Sequence, residues 1–372
     1  MIYIGVFLSS TLCAYLAQKI SIKKNKGLVL FFSLLSILIP SILGGMRSVR
    51  IGTDITYYVL NNFQVALHAS SFKEYLPLIY AKEPLYLFIV YSCAKLFGNI
   101  NALLFVIECL TMSCVYIGGW KLRKQIPLPL FLLTYFFIYY NDSYNTVRQH
   151  LAMAIIVMGF ADLYNKKYKR YLINVVVASL IHTSAIIGII FILIHWYVCG
   201  PYEKRKKKKL KIREWILMIS AFVLVVGIRF WCTILIKIGI LSTRYLYYFN
   251  HGSVSNNTLD TLLYSFEVVL IFLFSTKARK NIFQYEFLKI IAVFNLIFLQ
   301  LARFMNYGHR LSLYFGIINL LMLAQIDRIS NKKNERHIIV CGMILVMAIY
   351  WIYVYCIGGM SQTFPYVSYF ND

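Results

Sequence analysis

Residues 27–54 read GLVLFFSLLSILIPSILGGMRSVRIGTD, an apolar stretch followed directly by a polar, arginine-bearing one. The first part, Gly27–Met46, is long enough to cross a hydrocarbon layer of roughly 30 Å, which needs about 20 apolar residues. Arg47, Arg50 and Asp54 follow at once, and lipid tails cannot solvate such a group. Arginine suits phosphate or carboxylate, so the cluster indicates an anionic ligand met at the membrane surface. An anchor that reaches the lipid headgroups explains this stretch equally well.

The whole chain has the composition of an integral membrane protein. Of its 372 residues, 60% are hydrophobic and 14% are charged, whereas soluble domains average about 45–50% apolar and 25% charged residues. No linker-like or repeated tract divides the chain, which predicts one integral membrane domain over residues 1–372. The net charge of +24 comes mainly from short basic runs between apolar segments. That is the pattern of cytoplasmic loops, so we reject binding to nucleic acid.

Apolar segments recur along the chain and predict an all-α polytopic membrane protein. The basic runs place their connections on the cytoplasmic side, and the connections between them then face outward. The segment Pro84–Gly98 breaks the parity of the crossings, so we predict that it is re-entrant or interfacial. About 12 transmembrane helices remain, with an outward-facing cavity. The expected outward loops lie near residues 47–83, 141–150, 229–258, 303–310 and 358–372.

A second irregular segment is Tyr171–Val198. It leaves the cytoplasmic side and returns to it within about 28 residues, and at 1.5 Å per residue each arm is short for a full span. His182 lies near the middle of the segment and is followed by Thr183 and Ser184. We therefore predict that His182 lies at the tip of a helical hairpin.

Polar residues gather on the predicted outward side. Arginines are numerous there, although the positive-inside bias should deplete them. A phosphate-bearing ligand is the simplest cause, because arginine–phosphate pairs are strong and bidentate. These outward residues are Arg47, Arg50, Asp54, Glu83, Arg148, His182, Arg244, Arg303, His309 and Arg310.

Some of these residues have a specific predicted role beside a plainer one. Arg148 stands at a predicted helix start, where free backbone N–H groups also favour an anion. Asp54, Glu83 and His182 are candidate general bases. Asp54 could equally form an ion pair with Arg50, and Glu83 could be a helix-start acid that complements the dipole. A lone histidine in an apolar stretch, such as His182, is usually a packing residue.

Several kinds of site have no signature in the sequence. There is no Walker A loop, H-E-x-x-H, G-x-S-x-G or haem-type ligand pair, and no outward acid pair is typical of a divalent-metal site. The eight cysteines lie in or beside apolar segments without a Cys-x-x-Cys, so they are interpreted as small core hydrophobes. The sequence predicts no cofactor and no metal.

Five short motifs carry a family resemblance, and they follow one another over nearly the whole chain. They are Arg47-Ser-Val-Arg50-Ile-Gly-Thr-Asp54-x-x-Tyr57, Glu83-Pro84-Leu85, Asn145-x-x-Arg148-Gln149-x-x-Ala152, Ile181-His182-x-Ser184 and Arg310-x-x-x-Tyr314-Phe315. In this order they resemble the EpsG family, Wzy-type polymerases of bacterial exopolysaccharide and capsule.

The resemblance implies a glycosyltransferase of the bacterial cytoplasmic (inner) membrane with an active site that faces outward. Its substrates would be undecaprenyl-diphosphate-linked oligosaccharides in the lipid bilayer. The growing chain would pass from one lipid diphosphate to the non-reducing end of a new lipid-linked repeat. A chain-length regulator is a further candidate partner.

On this hypothesis, arginines stabilise the leaving diphosphate without a metal. The leading contacts are Arg47, Arg148 and Arg310, with Arg50 and Arg303 as secondary ones. The base is Asp54 or His182, unranked, with Glu83 third.

Other functions stay open as alternatives. A lipid-linked-oligosaccharide flippase or other transporter would also use arginines for a diphosphate, but neither a two-sided charged pathway nor half-repeat symmetry is visible. A membrane O-acyltransferase could use His182 as its base but would leave the arginines without a role. A ligase-like transfer to another acceptor also fits the family.

Overall fold

The computed structural model describes residues 2–79, 83–199, 207–239, 243, 248–249, 258–274 and 280–371. Within these ranges every regular element is helical, and the one extended pairing is an isolated antiparallel bridge between Arg47 and Ser368. The prediction of an all-α chain is thus confirmed for the described residues. The chain divides into two compact units, one of Met1–Ile189 with Ile338–Asp372 and one of Ile190–His337. A single membrane domain stays a prediction.

The helices vary widely in length. In chain order, the α-helices are α1 (Ile2–Ile22), α2 (Lys26–Gly45), α3 (Leu60–His68), α4 (Phe72–Leu78), α5 (Pro84–Phe97), α6 (Ile100–Lys121), α7 (Leu128–Tyr135), α8 (Val147–Tyr164), α9 (Tyr168–Ile181), α10 (Gly188–Cys199), α11 (Lys207–Val226), α12 (Ile228–Lys237), α13 (Thr258–Leu273), α14 (Tyr285–Leu299), α15 (Ser312–Leu323) and α16 (Lys333–Trp351), with one further turn at Asn141–Ser143. The π-helical turns are Ile55–Val59, Phe136–Tyr140 and Ile352–Ile357. The 3₁₀ turns are Thr183–Ile187, Gln300–Arg303, Gly308–Leu311, Ile326–Ile329, Met360–Gln362 and Tyr369–Asn371.

Helices α1 and α2 show how apolar helices pair here. The side chain of Asn25 caps the start of α2 by accepting a hydrogen bond from the Leu28 backbone N–H at 3.2 Å. Farther along, the Ser10 hydroxyl donates to the Ser36 carbonyl at 2.6 Å, and the Ser36 hydroxyl donates to the Ser10 carbonyl at 2.9 Å. Small hydroxyl residues let two backbones approach and satisfy each other in an apolar setting.

Four helical stretches are long and apolar enough to cross a membrane: Lys26–Gly45, Ile100–Lys121, Tyr285–Arg303 and Lys333–Ile357. A fifth exists if Ile212–Val226 and Ile228–Lys237, which are bent by 73°, form one span. The described residues thus contain four to five candidate spans. The count of about 12, the orientation and the outward-facing cavity stay predictions.

One segment predicted as a single span is divided in the structure, because residues 127–140 form α7 followed by a π-helical turn. Residues 171–198 are interrupted at His182, where the sequence predicted a hairpin tip. Pro84–Phe97 and Thr183–Cys199 are shorter apolar helices. A hydropathy pattern records total apolar length, and it does not show where a helix changes its pitch or stops.

Predicted outward loops meet at one end of the first unit. The Ser48 backbone N–H donates to the Val367 carbonyl at 2.9 Å. The Asn141 side-chain amide donates to the Thr363 hydroxyl at 2.9 Å. The loop after α2, the connection before α8 and the C-terminal tail are therefore neighbours.

Predicted cytoplasmic loops also meet within this unit. The Gln18 side-chain amide donates to the Arg123 carbonyl at 2.8 Å, and Lys121 Nζ lies 3.9 Å from Asp162 Oδ2. These contacts agree with the sorting of loops into two sets by charge. Which set faces outward stays a prediction.

Residues 141–150, predicted as an outward loop, are mostly buried in the first unit. The Trp351 indole N–H donates to the Asn141 side chain at 2.8 Å, and the Ser361 hydroxyl donates to the Asp142 carboxylate at 3.2 Å. His150 Nε2 lies 3.8 Å from Asp142 Oδ2. The C-terminal residues supply partners that the local sequence does not reveal, so this connection packs as an interior element.

Candidate active site

Three of the predicted site residues, Glu83, Arg148 and His182, meet in the first unit. Arg148 Nη1 donates to Glu83 Oε2 at 2.7 Å, and His182 Nδ1 lies 3.2 Å from Glu83 Oε1. The Glu83 side chain is 8% exposed, whereas the side chains of Arg148 and His182 are 23% and 21% exposed. One buried carboxylate is therefore held by two partly accessible partners.

Each of these side chains stands where a helix begins or ends. Glu83 is the N-cap of α5, and Pro84 occupies the first helical position, where its missing N–H costs no hydrogen bond. Arg148 lies in the first turn of α8. His182 has extended backbone angles, φ −152° and ψ 118°, which end α9. Gly188 packs close to Val175 of α9, so the chain folds back at His182 as a hairpin.

Glu83 carries a negative charge at neutral pH. Burial alone would raise the pKa of its carboxyl, but the hydrogen bond from His182, the charge of Arg148 and a backbone hydrogen bond from Thr183 outweigh that effect. The pKa of Glu83 is consequently lowered from its ordinary value. In the ligand-free protein this carboxylate balances the charge of Arg148.

Two tyrosine rings flank the Arg148 guanidinium. Its Cζ lies 5.5 Å from the centre of the Tyr86 ring and 5.8 Å from that of the Tyr58 ring, distances at which a cation is attracted to an aromatic ring. Tyr86 is fully buried and Tyr58 is exposed. Within the described ranges, the bond to Glu83 is the one hydrogen bond of this guanidinium. Its other N–H groups make no hydrogen bond within these ranges.

The loop that carries Asp54 is docked against the start of α8. Asn145 Oδ1 accepts hydrogen bonds from the Thr53 hydroxyl and the Asp54 backbone N–H, both at 3.0 Å. Gly52 has φ +90°, and a Cβ at this position would lie 2.5 Å from the Tyr144 carbonyl oxygen. Only glycine fits this approach. Gly52, Thr53 and Asp54 are thus fixed against Tyr144 and Asn145.

The charges of the site converge on Tyr86. Its hydroxyl lies within electrostatic reach of Arg148, Glu83 and Asp54. Asp54 is partly buried beside this group. In the first unit, two predicted bases, Glu83 and His182, therefore meet Arg148 directly, and Asp54 lies on the loop docked at Asn145.

Arg47 lies elsewhere, in the interior of the first unit. It is 1% exposed, its Nη1 donates to the Gly44 carbonyl, and its Cζ lies 4.2 Å from the centre of the Tyr144 ring. A Cβ on Gly44 would lie 3.3 Å from Arg47 Nη1 and 2.6 Å from Glu108 Cγ, so Glu108 borders the same spot. Arg47 is thus a buried cation. Its predicted contact with a ligand stays a prediction.

The remaining predicted arginines lie on other segments of the chain. Arg50 is exposed on the loop after α2. Arg303 and Arg310 belong to the second unit, where Arg303 is exposed at the end of a 3₁₀ turn and Arg310 Cζ lies 4.7 Å from the centre of the Tyr307 ring. Arg244 lies outside the described residues. The prediction that the arginines surround one ligand stays a prediction.

Sequence reasoning missed Tyr58, Tyr86 and the positioning role of Asn145. Tyr86 follows Glu83 by three residues, a spacing that places side chains on one face of a helix. Asn145 precedes Arg148 by three residues, within a motif already singled out. In the described part of the chain, no group of three or more His, Cys, Asp or Glu side chains is placed to hold a metal ion.

A comparison with protein families gives one match, in which the model of the EpsG family covers residues 6–368. Comparison with curated proteins and with solved structures gives no significant match. The matched stretch is essentially the whole chain and includes every residue of the candidate site. The chain therefore belongs to the EpsG family, which indicates a polymerase-type membrane protein of polysaccharide biosynthesis.

Proposed function

We propose that this protein is a polysaccharide polymerase of the bacterial cytoplasmic membrane. It joins undecaprenyl-diphosphate-linked oligosaccharide repeat units at the outer face, with a chain-length regulator as a candidate partner. Family membership supports the class of reaction. The observation that carries the proposal is the Glu83 carboxylate, which contacts both Arg148 and His182 and so couples an anion-binding group to a candidate base.

In this proposal, Arg148 binds the leaving diphosphate. Phosphate oxygens pair with a guanidinium in the same bidentate way as a carboxylate, so the substrate competes with Glu83 for Arg148. A diphosphate carries more charge than one arginine balances. Within the first unit, Arg50 on the loop after α2 is the proposed further contact.

His182 is the proposed base, with Glu83 as the group that orients it. A proton on Nδ1 is held by the Glu83 carboxylate, which leaves Nε2 to accept a proton. The acceptor sugar hydroxyl bonds to the anomeric carbon of the donor and gives its proton to Nε2. The bond from that carbon to the lipid diphosphate breaks, and the diphosphate leaves with the electron pair, stabilised by Arg148. Asp54 is the alternative base.

The test is elongation of a lipid-diphosphate oligosaccharide by the purified protein, followed as a ladder of longer products. Arg148→Ala should remove the ladder and leave folded protein. The matched control is Arg123→Ala, because Arg123 also stacks on an aromatic ring, 4.2 Å from Trp120, but lies among the predicted cytoplasmic loops. A near-normal ladder from Arg148→Ala, or equal loss in both variants, would contradict the proposal. Movement of the lipid across the bilayer without elongation would favour the flippase.

A further inference from the structure

Tyr86 has a hydroxyl that the described protein leaves without a partner. The residue is fully buried, and its oxygen makes no hydrogen bond within the described ranges. Buried polar groups in native proteins are paired in the large majority of cases, so an unpaired donor calls for a physical cause.

The location of Tyr86 indicates a cause. Its ring centre lies 5.5 Å from Arg148 Cζ, and its hydroxyl is within reach of the charges of Glu83 and Asp54 as well. It follows Glu83 by one helical turn at the start of α5. The ring that carries the unpaired hydroxyl thus lies beside the guanidinium to which the anion is proposed to bind.

We propose that the Tyr86 hydroxyl is a further ligand-binding group, which donates a hydrogen bond to the diphosphate of the lipid-linked substrate. This inference rests on the proposed function. When the diphosphate takes the place of Glu83 on Arg148, its oxygens arrive beside the ring that already flanks that arginine. Phosphate oxygens are strong acceptors, and the donor that lacked a partner gains one.

Burial without a partner does not by itself mark a ligand site. The hydroxyls of Tyr75 and Tyr171 are also buried without a hydrogen bond in the described part of the chain. Tyr171 of α9 is the best comparison, because its hydroxyl is buried and no charged side chain of the described residues lies within electrostatic reach of it. What distinguishes Tyr86 is the adjacent arginine.

The experiment measures binding of farnesyl diphosphate, a soluble polyprenyl diphosphate, to the full-length protein in nanodiscs. Tyr86→Phe keeps the ring against Arg148 and removes only the hydroxyl. We expect it to weaken binding by about tenfold, the size of one hydrogen bond to a charged group. The Tm of the ligand-free variant should be equal to or above that of the wild type, while the rise in Tm on adding ligand becomes smaller. Tyr171→Phe should leave the Kd unchanged.

Unchanged affinity in Tyr86→Phe would overturn the inference and leave the proposed function intact. A lower ligand-free Tm would overturn it as well, because the hydroxyl would then have a partner within the protein. Arg148→Ala tests the proposed anion site itself. If the wild type does not bind farnesyl diphosphate, or if Arg148→Ala binds it as well as the wild type does, the proposed anion site falls and this inference with it.

Discussion

The first unit contains two arginines that lie against tyrosine rings and near a glutamate, yet their surroundings differ. Arg148 is partly exposed and bonds a carboxylate that has a second partner, His182. Arg47 is 1% exposed and donates to a carbonyl of the helix that precedes it. On the proposed function, a ligand anion replaces Glu83 on the partly exposed Arg148, whereas Arg47 is enclosed in the packed interior.

The two arginines thus differ in burial and in partners, although their residue type is the same. Desolvating a cation is costly, so a buried arginine needs surrounding interactions to offset that cost. The segment at Arg47 has several. Its carbonyl accepts a hydrogen bond from Asn101 at 2.8 Å, its backbone pairs with Ser368, and its guanidinium stacks on Tyr144. We therefore expect Arg47 to act on stability and Arg148 to act on catalysis.

The largest expected effect is that of Arg47→Ala. Removing a large buried side chain that lies against Tyr144 and borders Glu108 leaves a cavity, which should lower the free energy of unfolding by about 2–5 kcal/mol. Thermal unfolding of the purified protein and the yield of folded protein in the membrane measure this. A normally folded Arg47→Ala protein that forms no polymer would break the comparison and assign Arg47 to the diphosphate.

His182→Ala should separate catalysis from stability. Loss of a general base lowers the rate by about 100-fold or more, whereas Glu83 keeps its bond to Arg148, so we expect the Tm to fall less than the rate does. The elongation rate and the Tm are measured together. His68→Ala is the control, because His68 is exposed and its Nδ1 contacts the Gln64 carbonyl, away from the site. A rate in His182→Ala close to that of the control would shift the role of base to Asp54.

Glu83→Gln tests the carboxylate that joins the two partners. Because the pKa of Glu83 is lowered, its contribution to stability is complete above its ordinary value of 4.5 and is lost as the pH falls through the lowered value. We expect the variant to be less stable than the wild type by about 1–3 kcal/mol at pH 7. The difference should shrink below pH 4.5 when the Tm is measured against pH. A difference that does not change with pH would argue against the ion pair with Arg148.

The smallest effect is expected for Asn145→Ala. It removes the acceptor of two hydrogen bonds that dock the loop of Asp54 against α8, each worth about 1 kcal/mol. The elongation rate should fall about tenfold with a small change in Tm. Asn165→Ala is the matched control, since Asn165 bonds only to its own helix in the described contacts, at the Ala161 carbonyl. Equal effects of the two variants would remove Asn145 from the positioning of the site.

The sequence singled out the three residues that meet at Glu83, but it did not predict their contacts. The charge pattern placed Glu83, Arg148 and His182 on one predicted side, and the interrupted apolar segment predicted the turn at His182. Both signals are local or depend on simple charge sorting, which is why they succeed without coordinates.

Other features depend on contacts between distant parts of the chain. Arg47 follows an apolar helix and Arg148 lies at the start of one. The sequence around each arginine therefore does not show that Arg47 is enclosed and Arg148 is not. The enclosure comes from Tyr144 and from the tail at Ser368, far away in the chain. The same tail covers the connection before α8. The sequence predicts an outward loop there because the residues of the connection are polar. Broken helices likewise escape hydropathy, since Phe136–Tyr140 is as apolar as the helix it continues.

The hydrogen bond from the Tyr3 hydroxyl to the Thr363 carbonyl, at 2.8 Å, joins the first helix to the tail. In the sequence, the whole of Ile190–His337 comes between these two parts of the first unit. Helix α1 is synthesised long before Thr363. The early helices must therefore remain in the bilayer without this contact while the second unit is synthesised. The part synthesised first is thus completed last, and truncation of the tail should damage the folding of the earliest helices.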